Sequence, residues 1–520
     1  MNRAQHLDAL RAHTEPFDIA IIGGGATGLG AVVDAASRGH SVCLIEQSDF
    51  AKGTSSRSTK LVHGGVRYLK QGNISLVLEA LRERGLLCQN APHLAHSQPF
   101  IIPNYHWWEG PFYGIGLKVY DGLAGRLGLA PSRFLSREEV IEKLPNIETE
   151  HLTGGVIYHD GQFDDSRLAI NLAQTAAEHG AVVLNYVRCE GFIKESGHIA
   201  GVLAKDIENG TGFEVRARCV INATGVFADA LRHKDDSQAT SILSPSQGVH
   251  IVLPREFLPG DAAIMIPKTD DGRVLFAVPW HGRLVVGTTD TPVAEASLEP
   301  RALPEEIEFI FAEVTRYLAR DPRRSDVLSV YAGLRPLVKQ HAVGNTAALS
   351  RDHLIVVSDS GLVTITGGKW TTYRKMAEDV IDHAELIGSL DHRLCKTHAL
   401  AIHGSTTDHS GPEHFRVYGS DAPAIRDIIK SDASLADTIH PKLEFQKAEV
   451  LWHVRHEMAR TVEDVLARRT RALLLDARAS IEAAPAVAKL MAEELDQDDP
   501  WIACQVEHYR SLASGYVLSP

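Results

Sequence analysis

Between two short apolar runs near the start of the chain lies Gly23-Gly24-Gly25-Ala26-Thr27-Gly28, and no other feature restricts the fold as strongly. Residues Phe17–Ile22 before it are apolar except for Asp18. The segment after it reads as a helix up to Arg38, and a second apolar run, 41–45, ends at Glu46. Strand, glycine turn, helix, strand and acidic residue together form the dinucleotide-binding unit. Gly23 permits the tight turn, Gly25 leaves room for a pyrophosphate against the backbone, and Gly28 lets helix and strand approach. The helix start offers N–H groups and a positive dipole end to phosphates. Glu46 is spaced to accept hydrogen bonds from a ribose. An α/β chain with a Rossmann-like domain is the expectation.

A hydroxyl-rich stretch follows, Gly53-Thr54-Ser55-Ser56-Arg57-Ser58-Thr59-Lys60, and then Leu61-Val62-His63-Gly64-Gly65-Val66-Arg67-Tyr68. Further on stand Phe163-Asp164-Asp165-Ser166-Arg167, Asn222-Ala223-Thr224-Gly225 and Gly287-Thr288-Thr289-Asp290. Ala332-Gly333-Leu334-Arg335-Pro336-Leu337 and Gly367-Gly368-Lys369-Trp370-Thr371-Thr372-Tyr373-Arg374-Lys375 come after them. In this order the blocks resemble the FAD-dependent sn-glycerol-3-phosphate dehydrogenases over 17–375. A weaker likeness continues through Arg468-Arg469-Thr470-Arg471. The resemblance implies FAD as cofactor, sn-glycerol 3-phosphate as substrate and quinone as electron acceptor, with a peripheral place on a membrane. The family's oxidases, which use O2, usually carry a mid-chain insertion for which this chain has no room. A hydroxy- or amino-acid oxidase on the same fold, and a non-catalytic FAD scaffold, are the other readings.

Oxidising a secondary alcohol on a flavin needs the donor carbon over N5, a base for the alcohol proton, and cations for a phosphate. His63 is the first candidate base and His250, on an expected strand, the second. Arg335 is a candidate both for the phosphate and for assisting alkoxide formation. Lys369 sits at a helix start, where a cation is disfavoured unless an anion is present. The resemblance places Arg67, Tyr68, Arg335 and Lys369 at the substrate. For the cofactor the candidates are Gly23, Gly25, Gly28 and Glu46, the run Thr54, Ser55, Ser56 and Ser58, and Gly225, Gly368, Lys369 and Thr371. Asp164, Asp165 and Arg167 read as a helix cap and an ion pair bracing a domain interface. No second glycine fingerprint for a nicotinamide follows any strand.

With 520 residues, 44% hydrophobic and 23% charged, the chain supports two or three domains. A net charge of -13 argues against nucleic-acid binding, so an anionic substrate needs a local basic pocket. Six scattered cysteines show no metal-binding spacing and read as reduced thiols. The first residues lack an apolar signal core, and no run of about 18 apolar residues occurs. A cytoplasmic protein is therefore expected; the resemblance implies a peripheral place on the inner face of the cytoplasmic membrane, and a homodimer is the expected assembly.

Residues 17–105, 151–235 and 340–392 are read as a discontinuous FAD-binding domain. Residues 106–150 and 236–339 are read as an α+β substrate domain with an antiparallel sheet through 250–253, 274–278 and 284–286. Residues 393–520 are read as a helical domain, clearest over 444–478. The helix after Thr371 carries Tyr373, Met376, Ala377, Val380, Ile381, Ala384 and Ile387 on one face. The aromatic stretch 106–120 fits core packing, a dimer contact or a membrane-interfacial patch. The basic stretch 453–471 is a second membrane candidate.

Overall fold

The computed structural model describes residues 1–65, 73–267, 269–270, 272–339, 353–408, 410 and 412–519. Among these, one sheet has eight strands. Its parallel centre runs Val363–Gly367, Gly212–Asn222, Phe17–Ile22, Val42–Ile45 and Val182–Leu184. Phe17–Ile22 and Val42–Ile45 are almost wholly apolar and buried, as a covered parallel sheet requires, whereas Gly212–Asn222 alternates exposed and buried residues before its buried last four. Helices Ala26–Arg38, Asp165–Glu178 and Tyr373–Ile387 pack together over this sheet. The helix over 373–387 buries the expected face, but its last member, Ile387, is 41% exposed.

The second sheet has ten described strands and is antiparallel at every pairing except one. Ser246–Pro254 pairs with Arg283–Gly287, which pairs with Leu275–Trp280. The expected strands 250–253, 274–278 and 284–286 all lie here. Strands Ala95–Asn104 and Gly154–Phe163 pair with each other over ten residues and join this same sheet through Ala263–Ile266. The sequence reading groups both with the cofactor part; hydrogen bonding sets them with the substrate sheet. Paired residues run from Ala95 with Phe163 to Asn104 with Gly154, far apart in sequence, so pairing rather than local pattern decides the matter.

The C-terminal part is helical, but 444–478 is not one helix. Lys447–His456 ends before a turn, Asp464–Arg469 forms a π-helical stretch, and the long helices Ala477–Leu495 and Asp499–Ser514 come later. The basic stretch is mostly interior. His453, Arg468, Arg469 and Arg471 are buried, and the exposed basic side chains of the stretch are Arg455 and His456, so most of its charge is unavailable to a membrane surface, contrary to expectation. Asp49 receives Arg468 and Arg469 at 2.5 and 2.7 Å, and Arg471 pairs with Asp164 at 2.9 Å. Arg167 grips Glu457 with both guanidinium nitrogens, at 2.6 and 2.7 Å. Asp164 caps its helix through the Arg167 N–H, and Asp165 pairs with buried Lys60 at 2.8 Å. The pairs that reach Glu457, Arg468, Arg469 and Arg471 tie the helical part to the cofactor part. Breaking one leaves a buried charge and costs about 3–5 kcal/mol. No helix of the described residues is long and apolar enough to cross a membrane.

Candidate active site

Gly23 adopts φ +113°, and a Cβ there would lie 2.6 Å from the Ala223 carbonyl oxygen. A Cβ on Gly28 would run into the Gly23 carbonyl oxygen. These two glycines therefore make the tight strand–turn–helix passage possible. Gly25 opens the helix without a capping side chain of its own, and a Cβ on it would sit 3.1 Å from Ser55 Oγ. Ser55 Oγ accepts the Ala26 N–H at 2.9 Å, so the hydroxyl-rich loop closes over the helix start. Glu46 accepts N–H groups from Gly24 at 2.7 Å and Ser48 at 2.8 Å. Burial pushes its carboxyl upward, against those two hydrogen bonds. Each of its oxygens keeps a second lone pair for a ribose hydroxyl.

A cavity of about 330 Å³ follows, lined by Gly23, Gly25, Glu46, Thr54, Ser55 and Gly225 among others. A second, of about 300 Å³, is lined by His63, His250, Arg273, Arg335 and Thr371 among others. Thr54, Pro336 and residues 367–370 border both, so the two form one bent channel. Gly367 and Gly368 both have positive φ, +81° and +67°, which turns the chain sharply and puts Lys369 in the common wall. Trp370 fixes this wall by donating its indole N–H to the Ser55 carbonyl at 2.9 Å. A glycine cradle with an uncapped helix start, a buried carboxylate and a continuing polar channel fit FAD. The cradle residues would hold its phosphates and ribose, with the redox ring at the shared wall.

The second cavity is electropositive. Arg335 Nη1 lies 3.2 Å from Asp290 Oδ1, and Nη2 donates to Thr288 Oγ1 and the Thr289 carbonyl at 3.1 and 3.0 Å. Arg273 Nη1 donates to the Asp290 carbonyl at 2.8 Å and lies 3.7 Å from its carboxylate. One carboxylate thus faces two guanidinium groups, and Lys369 adds a third cation. His250, 2% exposed, stacks on Tyr331 with ring centroids 4.8 Å apart and meets Thr59 Oγ1 through Nε2 at 2.9 Å. Burial, then the charges of Arg335 and Lys60, push its pKa well below the ordinary imidazole value, so it is neutral. His63 is half-buried and follows strand Leu61–Val62. The turn after it is held by buried Asp160, which accepts from Gly64 N at 3.3 Å, Arg84 Nη1 at 2.9 Å and Tyr120 OH at 2.8 Å.

The structure thus brings His63, His250, Arg335, Thr371 and Ser58 to one cavity, and Gly23, Gly25, Glu46, Ser55 and Gly225 to the other; Thr54, Gly368 and Lys369 border both, and Gly28 borders neither. Ser56 borders neither; it is buried, and its carbonyl holds Lys60 Nζ at 2.7 Å. Ser58 is tied to Asp165 through its hydroxyl at 2.7 Å. Arg67 and Tyr68 lie outside the described residues. Sequence reasoning missed Arg273, Asp160 and Thr59. Thr59 stood within the hydroxyl run, but Arg273 follows an ordinary Gly turn and carries no local signal.

The model of the FAD dependent oxidoreductase family matches residues 18–374. That of the C-terminal domain of alpha-glycerophosphate oxidase matches 363–500. The chain is 41% identical over 520 residues to the mitochondrial glycerol-3-phosphate dehydrogenase of Mesocricetus auratus, covering 93% of this chain and 71% of that one. To the Schizosaccharomyces pombe protein of the same name it is 38% identical over 572 residues, covering 97% and 88%. The solved glycerol-3-phosphate dehydrogenase of Bacillus halodurans, complexed with FAD, superposes with a TM-score of 0.80 at 30% identity, covering 99% of this chain and 97% of that one. The chain belongs to the FAD-dependent oxidoreductases and, within them, to the glycerol-3-phosphate dehydrogenase family.

Proposed function

We propose that this enzyme oxidises the C2 alcohol of sn-glycerol 3-phosphate to dihydroxyacetone phosphate and hands the electrons to a quinone. The observation that carries the substrate is the convergence of Arg273, Arg335 and Lys369 on a cavity that also holds two histidines. Guanidinium forks and an ammonium suit a phosphate dianion. Asp290 holds Arg335 along one edge of its fork, which fixes the side chain without a substrate-ordering cost. FAD, when bound, supplies the acceptor for the hydride that leaves C2. His63 takes the hydroxyl proton as the carbonyl forms. Burial lowers the proton affinity of His250 and packing fixes its ring, so it is the weaker base and serves to hold the substrate hydroxyl region in place.

The aromatic helix Glu109–Ala124 supports a membrane-bound acceptor. Trp108, Phe112, Ile115 and Val119 are exposed on one face, next to Trp107, which is 84% exposed. Trp at the edge of such a face favours the lipid headgroup zone. The enzyme on this reading is peripheral, on the inner face of the cytoplasmic membrane. Reoxidation of the substrate-reduced enzyme tests the acceptor. A quinone analogue in lipid vesicles is expected to restore the oxidised spectrum far faster than O2; faster reoxidation by O2 makes the enzyme an oxidase.

A further inference from the structure

A third cavity, of about 310 Å³, shares no lining residue with the FAD channel and lies where three parts of the molecule meet. Its floor is the pairing of Ala95–Asn104 with Gly154–Phe163. One wall is the turn at Trp280–His281 between two strands of the substrate sheet, and the other is Arg416 of the stretch Glu413–Asp421. The chemistry of its lining is uneven. Asp164 is committed to Arg471 and to His281, both at 2.9 Å, so its charge is already matched. Arg416 borders the cavity, and its buried Nε has no partner.

Acceptors also line it. Gln98 donates its amide to the carbonyls of Asp261 and Pro99 at 2.7 and 3.2 Å, which leaves its oxygen to accept. His93 is 5% exposed, and its Nε2 meets Asn171 Oδ1 at 3.1 Å. Asn171 spends its amide on Gln174 at 2.7 Å, so its oxygen accepts and His93 Nε2 carries the proton. His93 Nδ1 is then a bare acceptor, buried and without a partner. A buried polar atom left unmatched in this way costs about 1–3 kcal/mol. Burial pushes this imidazole down to about 4, so it does not gain a proton to relieve the deficit.

We infer that this cavity is a second ligand site, for a small hydroxylated anion: the acidic group pairs with Arg416 and a hydroxyl donates toward His93 and Gln98. A bound molecule would tie the stretch around Arg416 to the substrate sheet through the turn at Trp280–His281. Two sources share this chemistry, a polyol phosphate and a hydroxycarboxylate, and glycerol 2-phosphate and glycerate represent them. Calorimetric titration of the FAD-loaded enzyme, with the catalytic cavity saturated by dihydroxyacetone phosphate, is expected to show one further site per chain for at least one probe. The tighter probe names the source. Arg416→Gln is expected to weaken that site at least tenfold while turnover of sn-glycerol 3-phosphate in its absence is unchanged. His93→Gln, which keeps a polar group near the Nε2 position and removes the bare Nδ1 acceptor, is expected to weaken it as well. No further site for either probe up to about 10 mM overturns the inference, as does a site that both variants retain within twofold.

Discussion

Replacing Lys369 with methionine removes one positive charge from the wall common to the cofactor and substrate cavities and keeps most of the stem that fills it. A unit charge pair about 4 Å apart at an effective dielectric near 20 is worth about 4 kcal/mol, which sets the upper end. Partial compensation by Arg273 and Arg335, already arranged around the single carboxylate of Asp290, sets a lower end of about 2 kcal/mol. The expected loss in kcat/KM for sn-glycerol 3-phosphate is therefore roughly 30- to 700-fold. The assay is steady-state turnover with an artificial acceptor, beside flavin content and the thermal midpoint of the purified variant. FAD content near one per chain and an unchanged midpoint keep the loss at the substrate. A kcat/KM within about twofold of wild type refutes the phosphate assignment of Lys369.

Gly25→Val is expected to yield folded protein without FAD, because the added atoms point at Ser55 Oγ, 3.1 Å from the new Cβ, and fill the cradle; flavin content after denaturation reads this. His63→Ala is expected to slow anaerobic flavin reduction by roughly 10²–10⁴ and to abolish the acid limb of the rate profile, whereas His250→Ala keeps that limb; a reversed pattern moves the base to His250. Glu449 is buried and its carboxyl is pushed up to about 7, despite the hydrogen bond from Tyr418 OH at 2.8 Å. The folded state therefore holds this proton more tightly than the unfolded chain, whose value is near 4.5. Its stabilising contribution is complete below about pH 4.5 and fades as pH rises to about 7, a change of about 3 kcal/mol. Glu449→Gln should flatten that slope, measured as the difference in thermal midpoint between variant and wild type from pH 4.5 to 7; a parallel pair of curves contradicts it.

The cofactor cradle was legible because its determinants are local. Gly23, Gly25, Gly28 and Glu46 span a single strand–turn–helix–strand unit, and the constraint on each is the position of its own Cβ or carboxylate. The antiparallel strands around His250 were legible for the same reason. Strands Ala95–Asn104 and Gly154–Phe163 were not, since the sheet each joins is fixed by partners distant in sequence. The basic run ending at Arg471 misled for a related reason. Its neutralising partners, Asp49, Asp164 and Glu457, come largely from another part of the chain, so the run looks like a surface when read alone and is interior in the fold. Arg273 joins the candidate site only because the hairpin it starts folds back toward Asp290.

On the proposed function, the cation-lined cavity beside the FAD cradle presents sn-glycerol 3-phosphate for oxidation. Anaerobic titration of the FAD-loaded enzyme with that compound, following the visible flavin spectrum and the product, tests it most directly. Complete bleaching is expected, with dihydroxyacetone phosphate formed in step, and no bleaching by glycerol, glycerate or amino acids at the same concentrations. A flavin that stays oxidised with sn-glycerol 3-phosphate, or that is bleached equally well by a compound without phosphate, contradicts it.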